Sequence, residues 1–494
     1  MHEVELKLGA PPGFGLPDLS GVAEAITARP AESARLRTTY WDTQDLRLAR
    51  WGCSLRLRAG EGWTVKLPGE VAAGVLARPE VTVPGPPNAP PEAAVDLLRA
   101  FVRTERLEPV ARLWTLRHRI DLVRDGSVPA ATVCLDDVAV VEGRRVAHRF
   151  REVEVELAAE PPDGLLDAVR HRLVAAGAGE PDPTPKLLRA LGEGARGGPD
   201  VPDAAAGPGG TTGEVVGAAI ASSVRRLILH DPGVRLGEDP EAVHQCRVAT
   251  RRLRSDLRTF RPYLAADHTE PVRDELRWLG AALGAVRDAD VLLARLRGLA
   301  QDVADDDRPA ADRLLARLEG ERGRAGDDLL ATLGQDRYVA LLETLVALAR
   351  DPSLVGDADR PAAGVLAGLI DRPWNLLQGE VAGLSDPPSD EELHQVRIRT
   401  KRCRYAAEAV APVAGTDAAV FAKATAGLQD VLGEHQDAAV AETWLRTAGP
   451  SAGGRQAFVA GLLAGRLRVQ RAEARESFPR AWKRVRKKGP DRWA

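Results

Sequence analysis

Glu3-Val4-Glu5-Leu6-Lys7, near the start of this 494-residue chain, alternates charged and apolar side chains with a period of two. This period is typical of a β-strand with one ionic and one apolar face. Two carboxylates and an ammonium group on one face suit a site that holds a divalent metal beside a phosphate, because carboxylates are hard oxygen ligands and lysine is a compact positive charge. The alternative interpretation is an amphipathic strand whose ionic face is solvated.

The same alternation recurs in three later segments, each with charges of nearly one sign on one face. The charges are Arg56 and Arg58, then Lys66, and finally Glu152, Glu154 and Glu156. Only eight of the 68 basic residues are lysines, and Lys7, Lys66 and Lys186 are expected at strand positions where a compact charge matters. Solvated strand faces usually mix both signs with uncharged polar residues, so the pattern predicts an ionic interior.

Further segments between these strands complete a set of motifs. They are Tyr40-Trp41-Asp42-Thr43, Gly52 with Leu55, Thr115-Leu116-Arg117 with Arg119, Leu135-Asp136, and Lys186. With Glu3, Glu5 and Lys7 they make residues 1–191 resemble a CYTH domain, the triphosphate tunnel metalloenzyme family. Pro185 stands where that family has a serine before the lysine, which affects the local backbone more than the charge.

The resemblance implies an antiparallel eight-stranded β-barrel with flanking helices, whose charged tunnel takes a linear triphosphate. It implies that Mg²⁺ or Mn²⁺ is held by Glu3, Glu5, Glu154 and Glu156, with Asp136 or Glu152 as further ligands. The phosphate oxygens would be bound by Lys7, Arg56, Arg58, Lys66, Arg117 or Arg119, and Lys186. The implied reaction is attack of water on a terminal phosphoryl group, with catalytic roles for Glu3, Glu5, Lys7, Glu154 and Glu156. Which glutamate orients the water stays open, as does the choice between Arg117 and Arg119.

Composition excludes several function classes. The formal net charge of −3 gives no global field for nucleic acid, and the sequence contains no P-loop motif. An apolar run near 18 residues and a signal peptide are both absent from the sequence, so we expect a soluble, cytoplasmic protein without membrane partners. The four cysteines lack metal-binding spacing and are expected to be buried free thiols. No oligomeric state follows from the sequence.

A Gly-, Pro- and Ala-rich segment divides the chain. Residues 192–212 lack apolar periodicity and are predicted to be a flexible linker between an α+β domain at 1–191 and an all-α domain at 213–494. The chain is therefore predicted to be multidomain, a tunnel barrel followed by a helical bundle.

The second half contains an internal repeat, which predicts a bundle built from two repeated halves. Val243–Arg254 recurs as Leu393–Arg404 at an offset of 150 residues, and Leu283–Val291 recurs as Leu432–Val440 at an offset of 149. At about 100° per residue, each first motif forms a helix with an apolar stripe beside a basic one. The basic stripes are His244, Arg247, Arg251, Arg254 and Arg258 in one copy, and His394, Arg397, Lys401 and Arg404 in the other.

Like charges at i,i+4 destabilise a helix, so two copies of one basic stripe favour a polyanion as the missing countercharge over a merely solvated face. His244, His394 and the Leu-Gly-x-x-x-Asp-Ala motif resemble a CHAD domain, the conserved-histidine α-helical family, which implies binding of inorganic polyphosphate. A metal site at these histidines is disfavoured because their neighbours are cations. Nucleic acid is disfavoured because only 4% of the residues are aromatic.

The leading hypothesis is a metal-dependent inorganic triphosphatase, a phosphoanhydride hydrolase of triphosphate or short polyphosphate, with a C-terminal polyphosphate-binding domain. A second hypothesis is a non-catalytic polyphosphate-binding protein targeted to polyphosphate granules. A third keeps the enzyme but makes a nucleoside or thiamine triphosphate the substrate.

Overall fold

The computed structural model describes residues 2–72, 75–207 and 209–492. The chain forms two compact units, residues 1–200 and 201–494. The linker at 192–212 stays a prediction; a short 3₁₀ turn covers Gly192–Ala195, and Asp200 accepts a hydrogen bond from Trp51 Nε1 at 2.8 Å.

The described residues of the N-terminal unit form ten β-strands. They are β1 His2–Gly9, β2 Ile26–Pro30, β3 Ala34–Asp42, β4 Ser54–Arg58, β5 Gly62–Lys66, β6 Glu70–Ala72, β7 Val75–Val83, β8 Glu108–Arg124, β9 Val128–Glu142 and β10 Arg145–Leu157. Eight of them pair antiparallel in the order β1-β10-β9-β8-β3-β4-β5-β7, and β7 pairs back with β1. The sheet is thus a closed eight-stranded barrel, as predicted, with β2 and β6 as extra strands on β8 and β7.

The apolar face of the barrel strands points outward and forms the core of this unit. Leu6 and Leu8 on β1, with Val153 and Val155 on β10, pack beneath one flanking helix. The barrel is inverted, because its charged alternate residues must point inward once the apolar ones are covered. The helices here are α1 Arg47–Arg50, α2 Glu92–Leu97, α3 Arg99–Val102, α4 Leu165–Ala175 and α5 Lys186–Leu191.

Lys186 corrects one sequence-based expectation. It opens α5 rather than lying on a strand, and Pro185 before it has the extended backbone (φ −62°, ψ 148°) that precedes a helix. Proline lacks an amide hydrogen, so it fits just before a first helical turn, where that hydrogen would have no intrahelical acceptor.

The C-terminal unit is helical, also as predicted. Its helices are α6 Thr212–Leu236, α7 Pro240–Thr259, α8 Ala266–Ala300, α9 Arg308–Leu333, α10 Asp336–Arg350, α11 Ala363–Leu366, α12 Asp371–Ala382, α13 Asp390–Ala452 and α14 Gly454–Arg486. Short 3₁₀ turns cover Arg261–Tyr263, Asp305–Asp307, Ala367–Ile370 and Pro490–Arg492. No helix in the described part of the chain combines the length and apolarity needed to span a membrane.

The two sequence repeats correspond to two helical hairpins. The first motif lies on α7 and its second on α8, while in the other copy both lie on α13, which breaks at Gly415 (φ 78°). A glycine suits this break because a positive φ strains other residues. The first-motif helices both begin at a side-chain cap: Asp239 before α7, and Ser389 before α13, where Glu392 in the first turn completes a capping box.

Candidate functional sites

The inside of the barrel is a polar cavity of about 220 Å³. Its charged lining, among the described residues, consists of the cations Lys7, Arg56, Arg58, Lys66, Arg78, Arg117 and Lys186 and the carboxylates Glu5, Glu61, Glu80, Glu154 and Glu156. The alternation of β1, β4, β5 and β10 therefore brings together the residues that the sequence pattern selected.

Strand register places opposite charges directly across from each other. Lys7 lies opposite Glu154, and Lys66 lies opposite Glu80. The corresponding ion pairs measure 3.1 Å from Lys7 Nζ to Glu154 Oε1 and 2.8 Å from Lys66 Nζ to Glu80 Oε2. Directly opposed residues point to the same face of a sheet, so the register itself builds the ionic interior.

Lys186 is a hub at one side of this cavity. Its Nζ lies 2.6 Å from Glu152 Oε1, 2.6 Å from Glu154 Oε1 and 3.0 Å from Asp136 Oδ2. Burial alone would lower the pKa of Lys186, but the surrounding carboxylates, Glu154 first, raise that pKa well above its usual value. The ammonium group thus stays charged and forms ion pairs with three acidic side chains at once.

Arg117 reaches the same carboxylates from β8. Its Nε and Nη2 donate to Asp136 Oδ1 and Oδ2 at 2.8 and 2.7 Å, and Nη2 also donates to Glu154 Oε2 at 2.7 Å. Arg119 lies on the same strand face but its side chain is 49% exposed, and its Nε donates to Asp121 at 2.7 Å. The structure therefore brings Arg117 to the cavity and leaves Arg119 outside it.

The buried charges shift one another's protonation. Burial would raise the pKa of Glu154, but Lys186, Lys7 and Arg117 hold that pKa well below its usual value. Burial would likewise lower the pKa of Lys7, but Glu154 and Glu5 leave it raised. For Glu152, burial prevails over the attraction of Lys186, and its pKa is raised. Lys7 and Glu154 consequently face each other as full charges near neutral pH.

Two sets of carboxylates are close enough to share one cation, with ligand oxygens within 4.8 Å of one another. Asp136, Glu152 and Glu154 form the first set, whose cation is the Lys186 ammonium. Glu5, Glu154 and Glu156 form the second set, and all three line the cavity. The second set fits a hard divalent ion better, because its oxygens face the space that a phosphate would enter. The side chain of Glu3, the remaining predicted ligand, lies outside the described residues.

Sequence reasoning missed three charged residues of the cavity. Arg78 and Glu80 lie on β7, and Glu61 precedes β5. Arg78 Nη2 donates to Glu5 Oε1 at 2.9 Å, and Arg58 Nη1 donates to Glu61 Oε2 at 2.8 Å. A signal for β7 existed in the alternation of Arg78, Glu80 and Thr82, although the intervening Pro79 weakens it as a strand pattern.

The helical unit has its own charged cavity, of about 390 Å³, between α7, α8 and α13. His244, Arg247 and Arg251 from one repeat line it together with His394, Arg397 and Lys401 from the other. The remaining charged lining residues among those described are Arg287, Asp288, Arg295 and Asp437. The two predicted basic stripes thus converge on one space.

The outer part of each stripe lies outside this cavity, and its part in polyphosphate binding stays a prediction. Arg254 and Arg258 lie further along α7, and Arg258 is exposed. Arg404 donates from Nε to Glu408 Oε1 at 2.7 Å. The stripe from His244 to Arg258 covers 15 residues, 14 residue steps and hence about 21 Å of helix, so a compact cavity contacts only its first turns.

Residues of the second repeat motif contact the arginines of the first motif. Arg247 Nη1 donates to Asp288 Oδ1 at 2.8 Å and to the Gly284 carbonyl at 2.9 Å, and Arg397 Nη2 lies 4.0 Å from Asp437 Oδ1. A Cβ at Gly284 would lie only 3.3 Å from Arg247 Nη1. In the first copy, Gly284 and Asp288 therefore position Arg247 directly, and in the second copy Asp437 lies beside Arg397.

Positive charge accumulates in this cavity. Burial first, and then Arg397, Arg251 and Arg247, lower the pKa of Lys401 to about 7. Burial and Arg287 lower the pKa of His244. His394 Nδ1 lies 2.8 Å from Gln436 Oε1, which orients its ring. A bound anion would relieve this repulsion.

Comparison with known proteins assigns the two units. Residues 1–184 match the CYTH domain and residues 218–446 match the CHAD domain. An uncharacterized protein of Mycobacterium tuberculosis, Rv2226, is 31% identical over 93% of this chain and 92% of its own length. PptA from Streptomyces chartreusis (TM-score 0.47, 24% identity) is covered over 100% of its length and 56% of this chain. The CHAD domain of the plant Ricinus communis (TM-score 0.47, 26% identity) is covered over 94% of its length and 57% of this chain.

Proposed function

This chain belongs to the family of proteins that join a CYTH domain to a CHAD domain, and from that premise we propose that it hydrolyses inorganic triphosphate and short polyphosphate. The barrel would carry the hydrolysis with a divalent metal, Mg²⁺ or Mn²⁺. The helical unit would bind inorganic polyphosphate.

The observation that carries the proposal is the interleaving of carboxylates and cations in one buried cavity. A site for a phosphate chain alone needs only donors, whereas Glu5, Glu154 and Glu156 add acidic oxygens that face the same space. Arginine forks bind phosphate oxygens bidentately and lysines bind them as point charges. The mixed lining supports a substrate that enters with a metal.

Glu5, Glu154 and Glu156, with Glu3 as a predicted fourth, would hold the metal. When bound, it would supply charge stabilisation to the phosphoryl oxygens. The chain's own cations would bind and align the phosphate chain, with Lys7, Arg117 and Lys186 at one side and Arg56, Arg58 and Lys66 at the other. A carboxylate of the cavity would orient the attacking water.

The aromatic residues support an inorganic substrate over a nucleotide. Tyr40 lines the cavity, whereas Trp63 is buried outside it with Nε1 on the Pro86 carbonyl at 2.8 Å. The ring centroids of Trp41 and Trp63 are 5.6 Å apart. Trp114 is 51% exposed, and the guanidinium of Arg37 lies over its ring. Among the described lining residues, Tyr40 is thus the sole aromatic side chain available to stack a base.

A second candidate function has one specific observation in its favour. Lys186 already forms ion pairs with Asp136, Glu152 and Glu154, so a part of the acidic set has a cation of the protein itself beside it. A barrel that only held its phosphate ligand would have this property. In that case the helical unit would target the chain to polyphosphate granules in the cytoplasm.

Phosphate release decides between them. The full chain is tested with tripolyphosphate, ATP and long-chain polyphosphate, with Mg²⁺, Mn²⁺ or chelator, beside Glu5→Gln. Metal-dependent release from tripolyphosphate, lost in the variant, is the expected result. If the chain binds long polyphosphate but releases phosphate from none of the three substrates, it is a binding protein rather than a hydrolase. If it releases phosphate faster from ATP than from tripolyphosphate, its substrate is a nucleotide.

A further inference from the structure

Arg78 is a buried cation at the barrel site that no sequence motif indicated. Its side chain is 5% exposed and lines the cavity, and its Nη2 donates to Glu5 Oε1 at 2.9 Å. Lys7 Nζ lies 3.4 Å from the same Glu5 oxygen. One oxygen of a candidate metal ligand is therefore shared by two cations of the protein itself.

Strand pairing fixes this contact. β7 runs antiparallel to β1, with Arg78 opposite Glu3 and Leu76 opposite Glu5. Arg78 is thus the diagonal neighbour of Glu5 across the strand pair, a distance that a long side chain spans. The geometry belongs to the barrel and does not depend on a loop.

At the proposed site, Glu5 could bind a divalent metal instead of Arg78, and Arg78 could bind a phosphate instead of Glu5. A buried carboxylate requires a positive charge, and for Glu5 a divalent metal would serve as well as the guanidinium. Arg78 requires an anion, and phosphate oxygens would serve as well as a carboxylate. A metal and a phosphate chain that arrive together can therefore replace the ion pair without leaving either charge unpaired.

We propose that Arg78 couples metal binding to substrate binding: it neutralises Glu5 until the phosphate chain arrives, then binds the phosphate and leaves Glu5 to the metal. The inference rests on the proposed hydrolase site and adds to it a positioning residue, since Arg78 acts on the metal through Glu5. Coupling of this kind is reciprocal, so the substrate also binds more tightly with the metal than without it.

Two affinities of the full chain test the proposal, each measured with one ligand alone. One is for Mn²⁺, followed by electron paramagnetic resonance. The other is for imidotriphosphate, a triphosphate analogue with nitrogen bridges, followed by calorimetry with chelator. In Arg78→Met, Mn²⁺ should bind roughly tenfold more tightly because Glu5 has lost a competing cation. Imidotriphosphate should bind about tenfold more weakly because a phosphate partner is gone.

The opposite signs separate this role from a structural one, which would weaken both affinities. Arg78→Lys should give intermediate values, and Arg124→Met, at a 39% exposed arginine paired with Asp125, should change neither. If Arg78→Met is unstable, added Mn²⁺ should raise its unfolding temperature more than that of the wild type. An unchanged Mn²⁺ affinity, or loss of both affinities, would overturn the proposal. A wild-type chain that binds neither ligand would instead overturn the proposed function.

Discussion

The barrel cavity and the helical cavity are both lined mainly by cations, yet their charge balance differs. Among the described lining residues, the barrel sets seven cations against five carboxylates, while the helical cavity sets six arginine and lysine side chains against two. In the barrel the charges pair with one another, and the pKa values of Lys7 and Glu154 shift toward their charged forms. In the helical cavity the cations repel, and the pKa of Lys401 falls to about 7.

The difference teaches what each cavity can do. Paired charges with acidic oxygens can exchange partners with a metal and a phosphate together, which suits phosphoryl chemistry. Cations in excess of the carboxylates gain most from a polyanion and offer little to a metal. An excess of cations therefore favours binding of a polyanion, and interleaved signs favour a metal and a phosphate bound together.

The largest effect should come from removing a carboxylate that several cations of the barrel cavity contact. Glu154→Gln should reduce metal-dependent release from tripolyphosphate by at least about 100-fold, because Glu154 belongs to both carboxylate sets. It should also destabilise the fold by about 3 kcal/mol, since Lys7, Lys186 and Arg117 lose a buried partner. Polyphosphate affinity should not change. Release rates, chemical unfolding and polyphosphate binding check the three expectations.

The reciprocal change should affect only the other cavity. His244→Ala with Arg251→Ala and Lys401→Ala should weaken binding of long polyphosphate by about 100-fold and leave tripolyphosphate release intact. The slope of log affinity against log salt should fall by roughly 1 to 2, because fewer phosphate contacts release fewer counterions.

The matched control for this triple variant removes three exposed arginines that have ion-pair partners: Arg297, Arg308 and Arg360. If the control loses as much affinity as the cavity variant, net charge rather than the cavity binds the polyanion. A wild-type affinity that does not depend on salt would contradict the stripe as a binding face.

A smaller effect separates two arginines that the sequence could not distinguish. Arg117→Gln should slow tripolyphosphate release by about 10- to 100-fold, because it removes the fork on Asp136 and a contact to Glu154. Arg119→Gln should change the rate far less, since that side chain is half exposed and bound to Asp121. Similar losses of rate in both variants would mean that Arg119 also belongs to the functional site on β8.

The smallest effect is a pH dependence of polyphosphate binding. Lys401 has a pKa of about 7 in the folded chain, so above pH 7 it is largely neutral and must take up a proton when a polyanion binds. Affinity should therefore fall from pH 7 to 9, by at most about tenfold per pH unit. Lys401→Arg should flatten this decline, because arginine stays charged. The titration curve of the phosphate chain is the same for both proteins, so parallel declines would exclude Lys401 as the cause.

The lowered pKa of Lys401 also makes the free energy of unfolding depend on pH. Because the pKa of Lys401 is lower in the folded than in the unfolded chain, the unfolded chain binds more protons between pH 7 and the usual lysine pKa. The free energy of unfolding should therefore rise with pH in that window, and Lys401→Arg should reduce that rise. Chemical unfolding at several pH values measures it.

Much of the barrel site was predictable because a strand has only two faces. Glu5, Lys7, Arg56, Arg58, Lys66, Glu154 and Glu156 all lie where alternation places them, in the cavity. Arg78 and Glu80 have the same alternation, but Pro79 between them weakened the strand signal. Lys186 was predicted as a charge and mistaken as a strand residue, because sequence does not reveal that α5 begins there.

In the helical unit, the repeat predicted two basic stripes but not which part of each stripe lines the cavity. His244, Arg247 and Arg251 meet His394, Arg397 and Lys401, while Arg404 turns to Glu408. Helix geometry puts side chains on one face, but which turns of that face meet a neighbour depends on where α7 and α13 approach.

By itself the sequence determined the two architectures, the ionic barrel interior and the duplicated basic stripes, because periodicity and repetition are properties of the chain. The tertiary structure alone decided which carboxylates Lys186 neutralises, which arginine of β8 enters the cavity, and that Arg78 competes for Glu5. Those outcomes depend on distances between residues far apart in the chain, and a few ångströms decide whether a charge is paired, shared or left for a ligand.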